Sequence, residues 1–182
     1  MVRLDVESTL PYAAFAAAKT GKTELVEKKL STYSAGILDF DKLLAQAVLS
    51  GIAGRTEESV QLLKRAVYRR PYTEARPVYT EYEFAEIAEW LYEATGKAKY
   101  RDLALDWARK VQKTQPWHAW AYALEAKLAT DAGARRKAIG MANYLDPDSD
   151  RLRSVSKKEL DAVVKDFRNP FLNLTGKKEK ST

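Results

Sequence analysis

Apolar residues along this chain fall three and four apart, the spacing of one helix face, in stretch after stretch. Val26, Leu30 and Tyr33 make one such stripe, Phe84, Ile87, Ala88 and Leu91 a second, and Ala104, Ala108 and Val111 a third. Trp117, Trp120, Leu124 and Leu128 continue the pattern, and Leu160, Val163, Val164 and Phe167 end it. Residues 10–20 are instead crowded with alanine, which favours helix and lets a neighbouring helix come close. Gly21, Gly54, Gly96 and Gly133 stand at the turns, Ser34-Ala35-Gly36 breaks a helix, and Pro71, Pro116 and Pro147 mark helix ends. The pattern predicts helical hairpins over about 7–39, 40–72, 81–116 and 117–147, then an amphipathic helix over 156–168. Ser156 with Glu159 is a capping box for that last helix, whose charged outer face keeps an open-ended stack in water. Tyr72 to Thr80, with Pro77, reads as a linker, residues after Gly96 as a loop insertion, and 175–182 as a disordered basic tail.

The turn Gly21-Lys22-Thr23-Glu24 recurs 33 residues later as Gly54-Arg55-Thr56-Glu57. The same shift pairs Leu10 with Leu43, Ala14 with Ala47 and Leu30 with Leu63, so the packing positions repeat along with the turn. Thr56 is placed to cap the second helix, with Glu57 and Glu58 in its electropositive first turn. Leu43, Ala47, Gly54, Ser59, Leu63, Ala66 and Pro71 stand at large, small and helix-ending spacings that resemble those of the tetratricopeptide (TPR) repeat. Gln46 departs from that pattern, as does Arg135 when Ala142 and Pro147 are set in register. The resemblance implies an all-α, right-handed α-solenoid of about four TPR-like hairpins closed by a C-terminal capping helix, a single domain over 1–174. It also implies that the first helix of each hairpin lines a concave groove.

Charge and composition narrow the chemistry. The net charge is +6, and most of the excess lies from Arg135 onward. Without cysteine, disulfides, thiolate metal sites and thiol nucleophiles are excluded. No apolar run reaches membrane-spanning length, and the opening Met-Val-Arg-Leu-Asp-Val-Glu has acids where a signal peptide needs an apolar core. A full-length chain is therefore expected in the cytoplasm, and an excised domain could instead be periplasmic or membrane-tethered.

Three features raise the question of chemistry. Gly21-Lys22-Thr23 ends like a phosphate-binding loop, but Ala16 stands where that loop needs glycine and a helix precedes it. His118 is the only histidine and lacks the company of a triad or metal site. Glu81, Glu83, Glu86, Glu89 and Glu93 crowd one helix, with Glu86, Glu89 and Glu93 on one face. Such carboxylates are usually solvated or answered by bases such as Lys64, Arg65, Arg69 and Arg70, rather than catalytic. No catalytic residue, cofactor or metal is expected.

The groove positions that the resemblance implies are Asp41, Leu44, Val48 and Ile52 in the second hairpin and Tyr82, Ala85, Glu89 and Tyr92 in the third. In the fourth, the stripe of Trp117, Trp120, Leu124 and Leu128 faces either the groove or the core. The partner-binding set is thus Leu44, Val48, Tyr82, Glu89, Tyr92, Trp117, Trp120 and Leu124. The expected function is a non-catalytic scaffold or adaptor that holds a peptide or helix of a partner protein, as in modules of larger bacterial assembly, secretion or cell-envelope systems. The alternative is a binder of nucleic acid or an anionic surface, through a basic patch of Arg135, Arg136, Lys157 and Lys158.

Overall fold

A computed structural model of the chain describes residues 10–32, 39–68 and 79–167, and their regular structure is entirely helical. The order is α1 (Leu10–Thr20), α2 (Thr23–Thr32), α3 (Asp39–Ile52), α4 (Thr56–Tyr68), α5 (Tyr79–Thr95) and α6 (Ala98–Thr114). Then come α7 (Ala119–Leu128), α8 (Ala132–Leu145), a 3₁₀ turn (Asp150–Ser154) and α9 (Lys157–Asp166). Tyr33, the Ser34–Gly36 break, the linker around Pro71 and Pro77, and the tail over 175–182 lie outside the described residues. Contacts divide the chain into two compact units, residues up to Trp107 and residues from Ala108.

In the first unit α3 packs against α1, α4 and α5. Its pairing with α4 depends on two small residues. Ala47 and Ser59 are both fully buried, and the Ser59 hydroxyl donates to the Ala47 carbonyl at 2.7 Å, so the small side chain that permits close approach also ties the helices together. Leu43, Leu63 and Ala66 are buried beside them, as are Phe84, Ile87, Ala88 and Leu91 of α5. Gly54, at φ +83°, turns the chain between α3 and α4 in a conformation that costs any other L-residue energy. Gly21 and Gly96 do the same in the other two turns.

The second unit gathers Ala126, Ala138, Ile139, Met141 and Ala142 into a core closed by Leu152, Val155 and Val163. The Ser156 hydroxyl accepts from the Glu159 amide at 3.2 Å, capping α9 as its sequence predicts.

Four details differ from expectation. Gly133 is not the turn: Asp131 caps α8, accepting from the Ala134 amide at 2.6 Å, and Gly133 lies inside the first turn of the helix. A side-chain cap satisfies the exposed amides and makes a left-handed residue unnecessary. The residues after Gly96 are not a loop, because α6 begins at Ala98 and buries Tyr100. α7 begins at Ala119, leaving Trp117 before the helix. Val164 is 45% exposed, so the buried stripe of α9 narrows to Val163, with Leu160 and Phe167 partly covered.

Candidate partner-binding surface

α5 carries five glutamates and no lysine or arginine, in a chain that is basic overall. Its buried stripe leaves Tyr82, Glu83, Glu86 and Trp90 partly exposed on the rest of its circumference. From α1, Tyr12 meets the Trp90 ring edge-on at 5.1 Å and Phe15 meets it tilted at 5.2 Å. The Tyr12 hydroxyl donates to Glu86 Oε2 at 3.4 Å. Burial, followed by the negative charge of Glu86 and Glu83, pushes the Tyr12 hydroxyl up to about 12. The Lys19 ammonium stands 4.5 Å from the centre of the Phe15 ring. The result is a cluster of rings edged by carboxylates.

The expected groove residues fall into two groups. Leu44 and Val48 are buried, at 1% and 0% exposure, and Glu89, Trp120 and Leu124 are buried as well. In the fold these five side chains are covered, where a groove lining would leave them open. For Leu44 and Val48 the reason is packing: α1 and α5 both lie against α3, and their rings meet. Tyr82 and Tyr92 remain partly exposed, and Trp117 is 68% exposed. Tyr82 is the last and smallest of the influences that raise the Tyr12 hydroxyl. Sequence reasoning missed Tyr12, Phe15 and Trp90. The available signal was the run of acids in α5 with aromatic residues among them.

In the second unit several charged residues pair with one another. Arg135 donates to Glu159 at 2.9 and 3.3 Å and to the Ala126 carbonyl at 2.5 Å, tying α8 to α7 and α9. Chiefly through that hydrogen bond, Arg135 holds the Glu159 carboxyl below the usual carboxylate range. Arg136 pairs with Asp166 at 3.3 Å, while Lys157 and Lys158 are exposed in the first turn of α9. The buried Glu125 carboxylate accepts from Arg109 at 2.8 Å and from Gln112 at 2.9 Å. Trp120 carries the Arg151 guanidinium over its ring at 5.0 Å and the edge of His118 at 6.2 Å, and burial pushes His118 below its ordinary value.

A cleft of about 390 Å³ in the first unit lies among α2, α3 and the start of α4, floored by Leu30, Leu49 and Leu62 and edged by Lys42 and Arg55. Among the described residues no three His, Cys, Asp or Glu side chains gather as a metal site would require, and no helix is long and apolar enough to cross a membrane. Comparison with protein-family models, with curated proteins and with solved structures found no match for this chain.

Proposed function

We propose that this chain is a non-catalytic protein-interaction scaffold, built from TPR-like helical hairpins, that holds a segment of a partner protein. The observation that carries the reading is the ring and carboxylate cluster on α1 and α5. Tyr12, Phe15 and Trp90 are large, rigid groups held by each other and left partly open to solvent, as anchors of an interface are. The binding face therefore moves from the Leu44 and Val48 side of α3 to the adjoining surface of α1 and α5. The basic end is a weaker candidate, because Arg135 and Arg136 are already engaged with Glu159 and Asp166.

Capture from a native lysate on immobilised protein, at low and high salt, tests the reading. A Tyr12→Ser/Tyr82→Ala variant, confirmed folded by circular dichroism, serves as control. The expected result is a protein retained at high salt and lost in the variant. Retention of nucleic acid or of many acidic proteins, lost at high salt and indifferent to the variant, overturns the scaffold reading in favour of the basic end.

A further inference from the structure

We infer that the segment held on α1 and α5 is cationic, its arginine or lysine side chain lying against the Tyr12, Phe15 and Trp90 rings beside Glu83 and Glu86. The inference rests on the scaffold reading and adds the chemistry of the partner. The first argument is charge complementarity. α1 contributes only Lys19 as a charged residue, while α5 sets Glu83 and Glu86 partly exposed beside the rings, so carboxylates outnumber cations where the described parts of the two helices meet, although the chain as a whole carries +6. An acidic or neutral segment would leave the rings with only their apolar area to offer. The second is the rings themselves: aromatic faces attract guanidinium and ammonium groups, and Lys19 already sits over Phe15. Third, the Tyr12 hydroxyl donates to Glu86 Oε2 at 3.4 Å, and after burial Glu86 and Glu83 help to hold that hydroxyl above its ordinary value, so their negative charge reaches the rings. Glu83 and Glu86 also take part in other interactions, so they edge the rings with negative charge rather than standing as vacant carboxylates.

The probe is a fluorescein-labelled Gly-Arg-Gly-Arg-Gly-Arg-Gly peptide, compared with its citrulline counterpart of the same shape and no charge. Binding to the full chain is followed by fluorescence anisotropy. The arginine peptide is expected to bind about tenfold more tightly than the citrulline peptide. Glu83→Gln/Glu86→Gln should remove that difference, and Tyr12→Leu, which keeps the charges and changes the ring surface, should cost about fivefold. Glu24→Gln/Asp161→Asn, at two exposed carboxylates elsewhere, should change little. Equal binding of both peptides, or an equal loss in the Glu24→Gln/Asp161→Asn variant, overturns the inference. If the lysate yields a partner dependent on Tyr12 and Tyr82 while both peptides bind alike, the scaffold reading stands and the cationic partner does not. If neither experiment shows dependence on this face, both fall.

Discussion

Gly51 lies where α3 meets the buried ends of two other side chains. A methyl group added there would stand 2.7 Å from Leu91 Cδ2 and 2.8 Å from the Tyr100 hydroxyl. Alanine is otherwise the better helix former by roughly 1 kcal/mol, but Leu91 and Tyr100 are both fully buried and have nowhere to move. Gly51→Ala should therefore destabilise the chain by about 1–3 kcal/mol in urea unfolding. The Tyr100 hydroxyl itself has no hydrogen-bond partner among the described residues. Tyr100→Phe should accordingly be neutral or stabilising by up to about 1 kcal/mol, and it should relieve part of the Gly51→Ala cost in the double variant. Additive effects in that cycle would mean that the hydroxyl does not limit the approach. Tyr12 offers a test by titration. Its folded value near 12 lies above the ordinary 10.0, so between those values the native state keeps a proton that the unfolded chain has lost. The stability it contributes is present below pH 10 and is lost as pH rises toward 12. Tyrosinate absorbance should lose a late-titrating component in Tyr12→Phe and keep that of Tyr122, whose hydroxyl burial also raises. Glu83→Gln/Glu86→Gln should lower that value only partway, because burial is the larger cause.

Between elements, the docking of α9 depends on a close approach and a charged bridge. A Cβ at Gly140 would overlap Phe167 Cδ2 at 2.1 Å, so Gly140→Ala should displace Phe167 and loosen α9 at a cost of about 1–3 kcal/mol. Hydrogen exchange of the α9 amides reads this directly, and unchanged protection would show that Phe167 is free to move aside. Because the Glu159 carboxyl is depressed by Arg135, the bridge contributes above the ordinary carboxylate range and is lost as pH falls through the folded value. At this scale the sequence was largely legible. The periodic stripes located the helices, and the repeated turns at Gly21 and Gly54 are left-handed in the fold, as the spacing implied. Gly133 misled because one residue type serves both as turn and as helix interior, and the choice was made by Asp131 two residues earlier. Val164 misled because period alone cannot say how wide a stripe the opposing surface covers.

Across the whole molecule, charge is segregated in a way the net value conceals. The acidic concentration of α5 was visible in the sequence. Its alignment with Tyr12 and Phe15 was not, since it depends on α1 and α5 meeting beside α3, a contact between residues more than seventy positions apart. The same contact explains why Leu44 and Val48, correctly spaced for one face of α3, are buried. The basic end shows the converse: Arg135 and Arg136 read as a patch, yet each has an acidic partner on α9, which leaves Lys157 and Lys158 as the cations of the set without an ion pair among the described residues. Phosphate contacts are counted by the salt slope of binding, at about 0.7 per cation for a single strand. Lys157→Gln/Lys158→Gln should therefore flatten the slope for an oligothymidine by about 1.4, whereas Arg136→Gln should leave it unchanged, its guanidinium being held by Asp166. A slope that falls equally for Arg136→Gln would mean that the Asp166 pair opens to admit phosphate, and the basic end would then regain its claim as a binding surface.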